Sequence, residues 1–299
     1  MAALGPRVRG FLYMLASTTC FALMAATSKK IGKQATSNEK LFWRALLVGG
    51  MTLGQNILAG VRIAWPRRPL IALLRGLCGH WATMAYLESI ERLPLAEAAF
   101  LGKIHPLAAA VIARIFLGER LHTWRVVAIF VALGGTCFIA MPSADGLASG
   151  SALGVSLALF AGVLTGAAYC CVRALARAGE LELWIVLAFP LVSGPIGVPD
   201  TWRGITTRGM SPSLALWLLL MGIVTQAAQV CLTRGLKLLP AAAGTQVMFL
   251  GGVVSILLGA MMGDGWPGWQ FYVGGAIIGL SLQLAQLAEG EIADKQQKD

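Results

Sequence analysis

Ten apolar stretches, most about 18 to 23 residues long and separated by short charged turns, occupy almost the whole of this 299-residue chain. A bilayer core about 30 Å thick takes roughly 20 helical residues, and only segments whose backbone groups bond internally cross it. The stretches run 10–28, 41–60, 70–90, 95–117, 124–141, 151–171, 182–200, 212–232, 241–262 and 268–287. They predict an all-α integral membrane protein of ten transmembrane helices. Only 13% of the residues are charged and 57% are hydrophobic, whereas a soluble domain carries about 25% charged residues. The first stretch is longer than the apolar core of a signal peptide. Its exit, Ser28-Lys29-Lys30, has no small-x-small cleavage pattern, so it is read as a retained helix.

The six cysteines, Cys20, Cys78, Cys137, Cys170, Cys171 and Cys231, all fall inside apolar stretches, where they act as small hydrophobes. They form no disulfide or metal pattern. The net charge of +10 is spread over membrane-flanking turns with no aromatic-rich basic patch, so no nucleic-acid partner is expected. Alternate connections carry thirteen Lys and Arg residues on one side and seven on the other. The positive-inside rule then places both termini in the cytoplasm, although the cluster from Lys29 to Lys40 lies on the opposite side.

The second half is a faint copy of the first. Leu117-Gly118-Glu119 followed by Trp124 matches Met262-Gly263-Asp264 followed by Trp269 at an offset of 145. Upstream, Leu93-Pro94-Leu95-Ala96 echoes Leu239-Pro240-Ala241-Ala242 with a one-residue slip, and Lys30 and Arg173 each close their helix. Five spans is an odd number, so the halves sit in opposite orientations as two inverted five-helix repeats, residues 1–142 and 150–289, followed by a cytoplasmic polar tail at 290–299. Inverted repeats place a substrate site near the midplane and rock about it.

The chain resembles the EamA type of the drug/metabolite transporter superfamily. The resemblance rests on Trp43-Arg44 opening helix 2, Leu74-Arg75-Gly76-Leu77 in helix 3, Leu93-Pro94-Leu95-Ala96-Glu97-Ala98 into helix 4, His105-Pro106 within it, Leu117-Gly118-Glu119-Arg120 after it, and Gly134-Gly135 in helix 5. It covers the whole chain. It implies a ten-helix carrier of amino acids and other small organic molecules in a bacterial or organellar inner membrane. Aromatic amino acid exporters of the superfamily tend to carry an Asn-Tyr-Leu-Trp-Pro run in helix 4, where this chain has Lys103-Ile104-His105-Pro106. The Arg-rich starts of helices 2 and 3 look more like the branch that contains S-adenosylmethionine uptake carriers.

Candidate site residues follow from the cost of ionisable groups at membrane depth, where each normally faces protein or a water-filled cavity. Arg44, Arg75 and Arg114 lie within one to two turns of a span end, so snorkelling to headgroups competes with a cavity role suited to a carboxylate. Glu88 and His80 on helix 3 and His105 on helix 4 join them. Lys103 is about eight residues inside helix 4 and calls for a partner such as Glu97 or Glu88, or a substrate. In helix 8, Gln226, Gln229 and Thr233 form one polar stripe. At the repeat offset they correspond to Trp81, Met84 and Glu88 of helix 3, which makes opposite walls of one cavity or, alternatively, interhelical hydrogen bonds. Gln246 of helix 9 has the same two readings. Arg75, Gly79, Ala82 and Tyr86 form a second stripe on helix 3, a channel face or a close helix contact. His80 offers proton coupling or a structural hydrogen bond. Pro106 inside helix 4 and the pair Gly251-Gly252 in helix 9 are candidate hinges at equivalent depth.

Enzyme chemistry is poorly supported: His80, His105 and His122 are scattered, and no phosphate loop or His-Glu-x-x-His motif occurs. No cofactor or metal is expected. The expected function is secondary transport of a small polar organic metabolite, most simply amino acids or related compounds moving outward, through a cavity lined by helices 1 to 4 and 6 to 9. The expected partners are the substrate, the lipid bilayer and, as an open alternative, protons. Uptake or exchange of a larger metabolite such as S-adenosylmethionine or a vitamin is one alternative, and a non-transporting membrane scaffold or sensor is another.

Overall fold

The computed structural model describes residues 5–61, 65–93, 95–118, 123–140, 152–240, 243–244 and 247–264, and beyond these residues 269, 272–277, 279–281 and 284. It is helical, with no strand among the described residues. The helices are α1 (Pro6–Ile31), α2 (Ser37–Leu58), α3 (Pro69–Ile90), α4 (Leu95–Leu101), α5 (His105–Phe116), α6 (Thr123–Ala140), α7 (Ala152–Arg177), α8 (Glu182–Arg208), α9 (Pro212–Leu238) and α10 (Leu250–Gly259). Among the described residues, five are long and apolar enough to cross a bilayer: α1 with the turn that follows it, α3, α7, α8 and α9. The chain is a multi-pass helical membrane protein.

The spans of α1, α7, α8 and α9 extend beyond their expected ends. α8 continues to Arg208 through Pro190, Pro195 and Pro199, because neighbouring helices in a membrane bundle re-satisfy the backbone groups that proline frees. α7 runs four residues past Arg173, so this arginine does not close its helix. Its Nη1 instead donates to the carbonyls of Leu236 (2.8 Å) and Lys237 (3.2 Å) at the end of α9.

Packing interleaves the two halves of the chain. α1 lies along α9, α3 along α7 and α2 along α8, with α3 also against α8 and α2 against α9. Glycine makes these crossings close. A Cβ at Gly197 of α8 would stand 2.8 Å from the Asn38 carbonyl of α2, and one at Gly235 of α9 would stand 2.5 Å from the Met14 sulfur of α1. Small residues at such contacts are the usual means of helix association where lipid removes the hydrophobic drive.

Polar residues concentrate at the two ends of the bundle. At one end Thr36 caps α2: its Oγ1 accepts from the Glu39 amide (3.2 Å) and the Glu39 carboxylate accepts from the Thr36 amide (2.7 Å). Glu39 also takes Arg208 Nη2 at 3.0 Å, tying α2 to the end of α8, and Asn38 donates to Asp200 at 2.6 Å. At the opposite end the Glu180 carboxylate accepts from the amides of Arg67 (2.8 Å) and Arg68 (3.2 Å) just before α3, and Glu182 holds Arg234 (3.1 Å) and Lys237 (3.3 Å) of α9.

Lys40 is fully buried near the first of these ends, with its Nζ 2.7 Å from Glu91. Removing the partner strands a buried ammonium. Glu91→Ala is therefore expected to cost roughly 2 to 3 kcal/mol, below the full cost of breaking a wholly buried pair because Glu91 is partly exposed. The measurement is a lowered melting temperature in detergent, with recovery in Lys40→Met/Glu91→Leu. Wild-type melting of Glu91→Ala would show that the lysine is solvated by another route.

Candidate functional site

A helix that stops and restarts supplies the first part of the site. Between α4 and α5, Gly102–Ile104 is a single 3-10 turn, and Pro106 is at the start of α5. Proline has no N–H to return to the carbonyl four residues back, here Gly102. That carbonyl is taken up by the backbone N–H of His105 and by its ring Nδ1 at 2.9 Å. Pro106 thus follows a 3-10 turn that interrupts the α-helical hydrogen bonding of the expected span 95–117, while the chain stays helical from Leu95 to Phe116. α7 comes close to this turn because Gly162 and Gly166 face it. Their absent Cβ atoms would stand 2.8 Å from the Gly102 carbonyl oxygen and 2.7 Å from the His105 carbonyl oxygen.

A second interruption precedes α10. The amides of Gly251 and Gly252 donate three residues back, to Met248 (3.1 Å) and Phe249 (2.9 Å), so the glycine pair forms the first turn of α10 and does not bend its centre. The Met248 carbonyl lacks a helical partner four residues on. It takes Thr18 Oγ1 of α1 at 3.2 Å and the Lys103 ammonium at 2.6 Å. Lys103 therefore pairs with a backbone carbonyl and not with Glu88, the partner considered from sequence. Glu88 instead accepts from Ser37 Oγ at 2.7 Å and from Arg92. The side chain of Glu97 lies outside the described residues.

These two interruptions border a cavity of about 140 Å³. α1 contributes Thr18 and Phe21, α2 Arg44, α3 Arg75, Gly79, Ala82, Thr83 and Tyr86, α7 Thr165 and Tyr169, α8 Phe189 and α9 Gln229, with Lys103, His105, Met248 and Ser255 from the interrupted helices. No described residue of α6 lines it. The stripe Arg75, Gly79, Ala82 and Tyr86 faces this space along its whole length, so it is a cavity wall as well as a contact. Arg75 Nη2 donates to Gln229 Oε1 at 3.0 Å, across from α3 to α9. The Arg44 guanidinium lies 4.3 Å from the centre of the Phe189 ring, a cation–π arrangement. Arg44 and Arg75 are only 2% and 3% exposed, so neither reaches the headgroups as snorkelling requires. Arg114, in contrast, is exposed near the end of α5.

Of the residues singled out by sequence, Arg44, Arg75, Lys103 and Gln229 come together here. Four others do not. His80 Nδ1 lies 3.1 Å from Ser193 Oγ on α8 and its ring stands edge-on to Trp81. Trp81 is half exposed on the outer surface. Glu88 closes α3 with Arg92. Gln226 accepts from Thr52 Oγ1 at 3.1 Å and donates to Gln55 at 3.3 Å, which is interhelical bonding to α2. The stripe on α9 therefore divides, with Gln229 toward the cavity and Gln226 toward a neighbour, while Thr233 bonds back to the Gln229 carbonyl. Gln246 lies outside the described residues. Tyr169, Phe189 and Thr18 were not singled out. On α7, Ala161, Thr165, Ala168 and Tyr169 repeat the small-and-polar pattern of the α3 stripe, and that pattern was the available signal.

Residues 8–141 match the family model for EamA-like transporters. The match covers the first half of the chain. The EamA-like region has relatives that extend over the second half as well. A pseudopaline exporter of Pseudomonas aeruginosa is 28% identical over 264 residues, 87% of this chain and 86% of the relative. A riboflavin transporter of Rhizobium johnstonii is 27% identical over 234 residues, 76% of this chain and 74% of the relative. A solved crystal structure with 22% identity superposes with a TM-score of 0.70, covering 96% of this chain and 98% of that one, and shares the fold.

Proposed function

We propose that this EamA-like protein is a secondary transporter of a small polar organic metabolite, amino-acid-like in kind and exported, working by alternating access between two inverted five-helix repeats. The observation that carries it is the single cavity that Arg44, Arg75, Lys103 and Gln229 reach from four separate segments of both halves. Buried ionisable groups around a cavity mark a substrate path in a membrane protein. The packing supports the repeat. α1 lies on α9 as α7 lies on α3, α2 on α9 as α8 on α3, and α1 on α10 as α7 on α5. Each pair exchanges places with the other when the halves are exchanged.

Lys103 adds a further support. It donates to Met248, 145 residues on, the same offset that aligns Leu117-Gly118-Glu119 with Met262-Gly263-Asp264. A residue that touches its own repeat equivalent sits beside the axis relating the halves. Interrupted helices opposed at such an axis are the usual construction of a midplane transport site. Both termini are placed in the cytoplasm of a bacterial inner membrane, following the positive-inside count. The pseudopaline exporter among the relatives favours outward movement, and the riboflavin transporter favours a vitamin-sized substrate as a second reading.

Purified protein in liposomes is expected to give saturable flux of at least one member of a panel of amino acids, S-adenosylmethionine, riboflavin and organic acids. Flux equal to protein-free liposomes across that panel would sink the transport reading. Separately, Gln229→Cys is expected to react with an aqueous thiol reagent, because Gln229 lines the cavity, whereas Gln226→Cys at a helix contact should react roughly tenfold more slowly. Equal rates at the two positions would favour the scaffold alternative.

A further inference from the structure

The cavity wall is unbalanced in charge. Arg44, Arg75 and Lys103 line it, and among its described lining residues there is no aspartate or glutamate. Nε and Nη1 of Arg44 and Nε of Arg75 are buried without an acceptor, and Lys103 bonds a neutral carbonyl. Among the described residues, Arg44 has only the face of Phe189, and Arg75 has only the neutral amide of Gln229. The described carboxylates nearby are committed elsewhere: Glu39 to Arg208, Glu91 to Lys40 and Glu88 to Arg92. Buried guanidinium groups left without an anion are unfavourable, so a negative partner must enter this space to complete them.

We propose that the transported molecule is a net-anionic organic solute with two or more acid groups, which supplies the counter-charge that the cavity lacks. This rests on the transport reading above and narrows its substrate. One acid group takes the free N–H groups of Arg44 and Arg75, since planar guanidinium forks suit carboxylate and phosphate oxygens. A further acid group answers Lys103. A zwitterionic amino acid meets half of this need: its carboxylate finds the arginines, but its ammonium finds three cations and no described acid. A neutral vitamin leaves all three cations uncompensated. An amino-acid-like compound bearing extra carboxylates satisfies every term.

The test uses the full-length wild-type protein, as thermal stabilisation in detergent and as flux in liposomes, with succinate, glutamate, glycerol 3-phosphate, leucine, lysine, inorganic phosphate and chloride as probes. Succinate or glutamate is expected to raise the melting temperature and to cross at least about tenfold faster than leucine or lysine, a ratio equal to about 1.4 kcal/mol. Comparison of succinate with glycerol 3-phosphate tells carboxylate from phosphate. Arg75→Gln is expected to lose the succinate response, and the wild-type panel decides the matter even where that variant misfolds. Equal response to leucine and succinate overturns the inference while leaving transport in place. So does stabilisation by inorganic phosphate or chloride that succinate cannot displace, which makes the anion a fixed structural ion. No flux of any solute overturns the transport reading, and the inference with it.

Discussion

Lys103→Ala is expected to reduce flux about 10- to 100-fold while leaving the yield of monodisperse protein near wild type. The magnitude follows from the interaction removed, because a hydrogen bond from a charged group contributes about 1.5 to 3 kcal/mol, and each 1.4 kcal/mol is tenfold. Assembly survives because the Met248 carbonyl keeps Thr18 Oγ1 at 3.2 Å and the Gly251 amide at 3.1 Å when the ammonium is gone. Flux suffers because, among the described lining residues, Lys103 is the cation that joins the two interrupted helices, at residues 145 apart. Lys103→Met tests charge separately from length: it keeps a flexible chain of similar reach and should transport as poorly as the alanine. Lys103→Arg keeps the charge but carries a wider head, and partial activity is expected. The check is initial flux in liposomes at matched protein density, beside the elution profile in detergent. Full flux from Lys103→Ala would assign the lysine to packing alone.

Gly76→Leu is expected to abolish assembly, so that little or no monodisperse protein is recovered. The reason is backbone against backbone. Any Cβ at Gly76 of α3 would collide with the carbonyl oxygen of Ala188 on α8, and it would stand 2.6 Å from Val192 Cγ2 and 3.1 Å from the Ala188 carbonyl carbon. A carbonyl held in a helix cannot swing aside as a side-chain end does, so the whole α3–α8 crossing would have to open. Overpacking a tight contact costs about 1 to 3 kcal/mol when side chains can adjust, and more when they cannot. That crossing also carries Arg75, one residue away, and Phe189, whose ring the Arg44 guanidinium covers. Gly50→Ala is the control, since nothing lies within 4 Å of its missing Cβ. Normal recovery of Gly76→Leu would show that α3 and α8 are not locked together in this way.

Much of the candidate site was legible before any tertiary information. Arg44, Arg75, Lys103 and Gln229 were conspicuous because ionisable and amide groups at membrane depth are costly and need a reason. The same argument also singled out His80, Glu88 and Gln226, and there it did not discriminate. Each had its cost met by a neighbour, Ser193 for His80, Ser37 and Arg92 for Glu88, and Thr52 and Gln55 for Gln226. Those partners lie 4, 51, 113, 171 or 174 residues away, and all but the first belong to other helices. Helical periodicity identifies which residues share a face but not what that face meets. Gln226 and Gln229 share a stripe by this rule, yet they turn to α2 and to the cavity respectively.

The helix interruptions divide in the same way. Pro106 and Gly251-Gly252 signalled trouble in the helix from sequence alone, since proline lacks a donor and glycine weakens a helix. Where the chain restarts depended on which groups took up the released carbonyls. His105 Nδ1 took that of Gly102, and Lys103 and Thr18 took that of Met248.

The sequence by itself determined that this chain lies in a membrane as apolar helices, because about 20 residues of apolar helix is what a bilayer core requires and few charges were available to cover a soluble surface. It also determined which side chains were too costly to be idle there. Only the tertiary structure decided which of those costly groups converge on one cavity, because that depends on contacts between helices far apart in the chain. It also decided that the cavity's described wall holds three cations and no acid, a property of the assembled surface that no single segment carries.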